Sequence, residues 1–225
     1  LEDPVEYNID GVNQVQINEK TGMDFANGLR AILRQDPDII AVGEIRDGET
    51  AQISMRAAIT GHVVLSTIHT NDAVGTIERL EDIGVEPYLI ATALRAVISQ
   101  RLVRRICPKC KKSYEATDEE VRRLGLSTEH KHIFYRGEGC ADCFNTGYRG
   151  RIGVFEILEI TPEIRPLISQ QAGRPAIEQE LASAHSEFKT LRGNAIQLVE
   201  EGITTAEEVQ RVIYETGDMK KAEEE

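Results

Sequence analysis

Two groups of residues in this chain have the types and spacing that chemistry uses. The first lies between Asp36 and Asp47, where the apolar run Ile39 to Val42 is followed by Gly43, Glu44, Arg46 and Asp47. An apolar run of this length reads as a buried parallel strand, and an acid at the carboxyl end of such a strand is where α/β proteins place a group beside a magnesium–nucleotide. Glu44 could hold Mg2+ through water or act on an attacking water. It could equally be an ordinary strand-end acid. The second group is Cys107, Cys110, Cys140 and Cys143, two C-x-x-C pairs separated by 29 residues in a chain with no other cysteine. Four thiolates can close a tetrahedral zinc site with no open position, which makes its role structural. Two redox dithiols or free thiols are the alternative.

Around these lie further candidates. Glu2, Asp3 and Glu6 form an acidic start to the chain. His62 and His69 bracket the segment Val63 to Ile68, Val-Val-Leu-Ser-Thr-Ile. An odd separation puts their side chains on opposite faces of a regular strand, and at roughly 3.3 Å per residue they cannot share one metal ion. Arg30, Arg34 and Arg46 could neutralise phosphate within a subunit or across an interface; salt bridges to Asp36, Asp38, Asp47 or Glu49 would also account for them. The phosphate-cradling pattern G-x-x-x-x-G-K-[ST] is missing, since no Gly-Lys dipeptide occurs. Lys109, Lys111, Lys112, Arg104 and Arg105 would let a zinc ribbon touch nucleic acid, but a zinc ion with four thiolates carries a formal charge of about −2 and attracts cations on its own account.

The elements that must position these groups follow from periodicity. Residues 1–20 read as extended. A helix is expected from Thr21, capped by that residue, with Phe25, Leu29, Ile32 and Leu33 on one stripe and Pro37 beyond its end. A second helix runs from Glu49 to Ile59 and stops at Gly61. His62 to His69 reads as another buried strand, and Asn71 or Asp72 caps a helix reaching Asp82. Strand, helix, strand, helix implies parallel crossovers. Tyr88 to Val103 reads as a long apolar helix, Ile152 to Ile160 as a strand, and the chain from Pro162 as several helices with caps at Thr161 and Thr205. Lys220 to Glu225 is expected to fray.

Composition narrows the field. With 38 acidic and 26 basic residues and a formal charge of −12, the chain lacks the basic footprint of a general nucleic-acid binder. No apolar run is long enough to span a bilayer, and the first residues, Leu-Glu-Asp-Pro, lead to the expectation of no signal peptide. The start at Leu1, without Met, leads to the expectation of a fragment or an excised domain.

Taken together, these segments resemble the secretion-superfamily ATPases, in the branch serving type II secretion and type IV pilus assembly. Leu1 to Glu6 looks like the family's Asp box, Leu29 to Asp47 like its Walker B region, and Gly61 to Asn71 like its His box. The paired C-x-x-C knuckles look like the tetracysteine site of the assembly ATPases, and Gly147 to Glu156 is similar to the segment that follows it. The resemblance covers nearly the whole chain, with motifs in family order. It implies a RecA-like P-loop NTPase core truncated at its N-terminus (1–103), an inserted tetracysteine zinc-knuckle subdomain (104–150) and a mainly helical C-terminal region (151–225). It implies a homo-hexameric motor using ATP and Mg2+, cytoplasmic and peripheral to the inner membrane, that docks to an inner-membrane platform protein and drives pilin or pseudopilin assembly. No direct nucleic-acid binding is expected, although a DNA-uptake or conjugation motor of the same superfamily, or a zinc-ribbon binding module, is the alternative.

Carried over residue by residue, Glu2 would be the catalytic glutamate that polarises water and Glu44 would hold Mg2+. His62 and His69 would sense or contact nucleotide. Arg30, Arg34 and Arg46 would contact phosphate or bridge subunits, and Cys107, Cys110, Cys140 and Cys143 would bind Zn2+. The family's Walker A loop should lie before Leu1. The expectation is therefore that this stretch alone neither binds ATP tightly nor hydrolyses it, and that its sheet lacks one or more central strands.

Overall fold

The computed structural model describes residues 1–183 and 188–214; the expectation for Lys220 to Glu225 lies outside them. The elements run in order α1 (Phe25–Ile32), β1 (Ile39–Val42), α2 (Gly48–Ile59), β2 (Val63–Ser66), α3 (Val74–Asp82), α4 (Pro87–Ala93), β3 (Ala96–Ile106), β4 (Lys111–Glu115), α5 (Asp118–Arg123), β5 (Ile133–Gly137), β6 (Tyr148–Glu159), α6 (Ile164–Ser169), α7 (Arg174–Leu181), α8 (Leu191–Glu200) and α9 (Ala206–Val209), with short 3-10 and π turns between and after them. This is an α/β fold. Two compact units share it, Leu1–Val97 with Leu158–Ser186, and Ile98–Ile157 with Glu187–Glu225.

In the first unit, β1 and β2 pair in parallel, with Ile39 opposite Val63 and Val42 opposite Ser66. One face of the pair is covered: Ile40 and Val42 pack with Leu1, Ile17 and Leu29, and Phe25 and Ile53 close over them. The other face is bare, with Ile39 65% and Leu65 58% exposed. The expected fully buried strands are thus corrected to strands buried on one side. Among the described residues no element covers that second face, and an alternating pattern is what a one-sided sheet shows. The second strand is also shorter than expected, ending at Ser66, so His69 lies beyond it on a loop.

Helix starts differ from expectation for local reasons. Glu19–Thr21 forms a 3-10 turn closed by Gly22 at φ 80°, so Thr21 caps nothing. Asp24 is the cap instead, accepting from the Asn27 N–H at 2.7 Å. Thr161 likewise precedes a turn rather than a cap, and α6 starts after Glu163. Asp47 caps α2, accepting from the Thr50 N–H at 2.8 Å and from the Thr50 hydroxyl at 2.8 Å. Thr205 caps α9 as expected.

The largest correction concerns Tyr88 to Val103. The helix there is short and ends at Ala93; Leu94 is already extended and β3 begins at Ala96. Val97, Ile98 and Val103 favour a pleated surface. Ser99 and Val103 turn inward while Ile98, Gln100 and Leu102 turn outward, a period of two rather than 3.6. The paired strand β6 lies some forty residues further along the chain, beyond what local apolar density registers.

In the second unit, β4 and β5 form an antiparallel hairpin, Lys111 opposite Gly137 and Glu115 opposite Ile133. Its core joins Val103, Phe134 and Val154 with Leu191, Val199 and Val209. Buried among these is Glu208 at 0% exposure. Its carboxylate accepts from the Arg104 N–H at 3.0 Å, from Arg104 Nε at 2.8 Å and from Arg211 Nη2 at 2.8 Å. Burial favours the protonated form, but the Arg211 and Arg104 hydrogen bonds outweigh it and bring the Glu208 pKa down to about 2. This pair ties β3 to α9 across about a hundred residues of sequence.

Candidate functional site

Two sites emerge, one in each unit. In the first, the carboxyl end of β1 delivers Glu44 through Gly43. Leu1 runs beside this strand: its amino group donates to the Ala41 carbonyl at 2.9 Å, and the Gly43 N–H donates to the Leu1 carbonyl at 2.8 Å. Gly43 permits that approach, since a Cβ there would stand 3.0 Å from the Leu1 oxygen. The main chain of Leu1 and Glu2 is thereby laid along the approach to Glu44. The Glu2 carboxylate accepts from Gln14 Nε2 at 2.7 Å.

Glu44 pairs with Arg46, and His69 Nε2 stands 3.4 Å from its second oxygen. The Arg46 hydrogen bond holds the Glu44 carboxyl below its ordinary range; burial opposes this, and the charges of Arg46 and His69 add to the lowering. Asp3 and Glu19 contribute to the acidic surroundings of Arg46. The loop that brings His69 here is fixed where it leaves β2: the Ile45 N–H donates to the Thr67 carbonyl at 2.9 Å, and the Thr67 hydroxyl donates to the Gly43 carbonyl at 2.6 Å. Glu44, Arg46 and His69 therefore share one place.

The remaining candidates lie elsewhere. His62 Nδ1 is 3.1 Å from the Ala57 carbonyl, at the end of α2. Arg30 pairs with Glu49 in the first turn of α2, the salt bridge weighed as its alternative. Arg34 is exposed on the 3-10 turn Leu33–Gln35. Asp47 is committed to its helix cap. Sequence reasoning did not find the tie between Gln14 and Glu2, nor the role of Thr67, because neither residue type carries a positional signature at that spacing.

The second site is the tetracysteine nest. The hairpin β4–β5 explains its spacing: Cys107 and Cys110 immediately precede one strand, and Cys140 and Cys143 follow the other. The 29 residues between the pairs begin and end beside each other. The turns are stitched by the Cys107 N–H on the Gly147 carbonyl at 2.9 Å and the Glu138 N–H on the Cys110 carbonyl at 3.1 Å. Gly137 and Gly147 meet backbone to backbone, and a Cβ on Gly137 would fall 2.1 Å from the Gly147 oxygen. The sulfurs of Cys107 and Cys140 are 3.9 Å apart, those of Cys110 and Cys143 3.8 Å, and those of Cys140 and Cys143 3.7 Å. Four sulfurs placed about 2.3 Å from a tetrahedral zinc ion stand about 3.8 Å from one another. These three separations match that spacing and all four sulfurs lie within 4.8 Å of one another, so the donor set is compatible with zinc.

The thiols are unevenly tuned. Burial pushes Cys110 up to about 12. Burial also opposes ionisation of Cys143, but hydrogen bonds from the backbone at Cys140 and Gly147 outweigh it and lower that thiol to about 6. A bound cation is what would let all four carry charge in so dry a place.

Comparison with known proteins places these sites in context. The profile of the family described as Type II/IV secretion system protein matches residues 1–211. The type II secretion system ATPase E of Vibrio cholerae is 47% identical over 216 residues, which is 96% of this chain and 42% of that protein. The type IV pilus assembly ATPase PilB of Thermus thermophilus is 51% identical over 211 residues, 93% of this chain and 24% of that protein. The chain therefore spans less than half the length of these relatives. The crystal structure of the pilus retraction motor PilT with bound ADP superposes with a TM-score of 0.65 at 30% identity, covering 93% of this chain and 50% of that one. The ATPase DotB of Legionella pneumophila, at 22% identity and a TM-score of 0.62 over 93% of this chain and 49% of its own, shares the fold.

Proposed function

The chain belongs to the Type II/IV secretion system protein family, and we propose that it is the C-terminal motor portion of an ATPase that drives type II secretion or type IV pilus assembly. The observation that carries this reading is the meeting of Glu44, Arg46 and His69 at the carboxyl end of β1, with the Leu1–Glu2 main chain alongside. Its support from relatives is the similarity to a secretion ATPase, to a pilus assembly ATPase and to a motor that binds ADP.

In this reading the core is RecA-like, and the bare face of β1 and β2 faces the rest of that core. Glu44 would hold Mg2+ through water, the ion supplying charge neutralisation at the phosphates. Glu2 is the base that orients and polarises the water, its carboxylate held in place by Gln14. Arg46, freed from Glu44, offers a guanidinium fork to phosphate; Arg30 and Arg34 serve the same end from α1 and the turn after it, or bridge to a neighbouring subunit. His69 reports nucleotide at Glu44, and His62 does so from the opposite end of β2. Zinc on Cys107, Cys110, Cys140 and Cys143 fixes the hairpin and has no part in the chemistry. The full-length protein is a homo-hexamer, cytoplasmic and peripheral to the inner membrane, working with a platform protein and pilin or pseudopilin subunits; this stretch by itself is inactive.

Glu44→Gln in the full-length protein tests the assignment. ATP turnover should fall by at least about a hundredfold, with circular dichroism and melting unchanged. Turnover within a few-fold of the unaltered protein would remove Glu44 from the site.

A further inference from the structure

Resting on the reading of His69 as a nucleotide-site residue, we propose that Arg174 is a positioning residue for His69, acting through Asp72. The His69 imidazole is 91% exposed, and its one close approach within the site is the 3.4 Å contact with Glu44. Its place is therefore set by its main chain, and that main chain is held on both sides of it. The first is Thr67, held by Gly43 and Ile45 as described above. The second is Asp72, three residues beyond His69.

Asp72 is held from two directions. Its Oδ1 accepts from the Gly75 N–H at 2.7 Å, closing the start of α3. The same carboxylate receives the guanidinium of Arg174, Nη1 to Oδ1 at 3.3 Å and Nη2 to Oδ2. Two parallel bonds fix an orientation as well as a distance. Arg174 is itself braced, with Nε donating to Glu178 Oε1 at 2.6 Å and Nη1 lying 3.6 Å from Glu78 Oε2. It opens α7, which packs on α3. Thr70 completes the span, its hydroxyl 2.9 Å from that of Thr76 and 3.1 Å from the Asp72 carbonyl. A residue about a hundred positions away thus fixes the far end of the six-residue span that carries His69. Nothing in the mechanism proposed above uses it.

A double-mutant cycle in the full-length protein tests this. Arg174→Ala should lower kcat/KM for ATP by about tenfold, the scale expected when a group near the chemistry is misplaced. In a His69→Ala background the same change should cost almost nothing, because the residue it serves is gone. Arg174→Lys keeps the charge, loses the fork, and should recover part of the loss. Without nucleotide, amide exchange across residues 69–75 should rise in Arg174→Ala while that of β1 stays as it was. Should Arg174→Ala fail to fold, Asp72→Asn keeps the cap acceptor, weakens the guanidinium pair and takes its place in the same cycle. An equal loss in both backgrounds, no loss at all, or unchanged exchange over 69–75 would each overturn the role given to Arg174. If His69→Ala alone leaves turnover intact, the failure belongs to the reading of His69, and the proposal falls with it.

Discussion

The tetracysteine nest and the Glu44 cluster are both groups of ionisable side chains held by turns, yet they are built on opposite terms. In the nest every donor comes from one hairpin, three of the four cysteines are buried, and the backbone turns are stitched to one another. In the Glu44 cluster the partners are a surface arginine and a histidine that is almost wholly exposed. Surface pairs of this kind contribute little and yield readily to competitors. The difference is between a site whose geometry is closed within the chain and one that can rearrange around a ligand. Arg46 can leave Glu44 at small cost, whereas Cys107, Cys110 and Cys143 are buried and Cys140 is tied into its turn by its N–H on the Cys143 sulfur at 3.2 Å.

The sharpest way to break the comparison is at the nest. Cys140→Ser should abolish zinc, measured as a fall from about one ion per chain to none by elemental analysis. It should also lower the thermal midpoint of the second unit substantially, since structural zinc contributes on the order of 10 kcal/mol or more to folding in small zinc domains. Full metal loss with an unchanged melt would show that the nest is closed by packing alone, and the contrast would fail.

A second test compares buried with exposed charge. Glu208 is fully buried and titrates near 2 in the fold, against 4.5 for the ordinary carboxyl. The unfolded chain therefore takes up its proton first as pH falls. The stability that the Glu208 carboxylate contributes is complete above about 4.5 and is lost progressively as pH drops towards about 2. Glu208→Gln should cost about 3 kcal/mol at neutral pH, and its denaturant midpoint should be flatter than that of the unaltered chain across that acid window. Parallel pH profiles would show that Glu208 is not the group responsible.

The same contrast explains what the sequence made legible. The cysteine pairs, the strand Ile39–Val42 and the helix expected over Glu49 to Ile59 are set by local patterns: fixed sulfur spacing, a short β-branched run, and a glycine beyond the helix end; the Asp47 cap, which starts that helix at Gly48, was not read from the sequence. The proximity of Glu44 and His69 follows from pairing β1 with β2 in parallel, so their meeting was within reach of sequence reasoning once the two strands were recognised. What could not be read depends on partners far along the chain. Ala96–Ile106 has enough apolar residues for a helix, and only its pairing with Tyr148–Glu159 makes its alternation decisive. Glu208 has the composition of a solvated helix acid until Arg104 is brought to it. Arg174 has no local signature at all, since its meaning lies in Asp72.

The smallest expected effect falls on the other side of the comparison. Arg30 and Glu49 form an ion pair between α1 and α2 with both side chains about half exposed or more, at 47% and 62%. Each can be rehydrated when the other is removed, unlike Glu208, which is fully buried. Arg30→Ala should therefore shift stability by less than about 1 kcal/mol, and raising the salt concentration should erase even that difference, because screening shortens the reach of exposed charges. Urea unfolding at low and high salt measures both. A loss of several kcal/mol that persisted in salt would mean that the first unit, like the second, is held by desolvated charge, and the distinction between a closed site and an adaptable one would no longer follow from how each is paired.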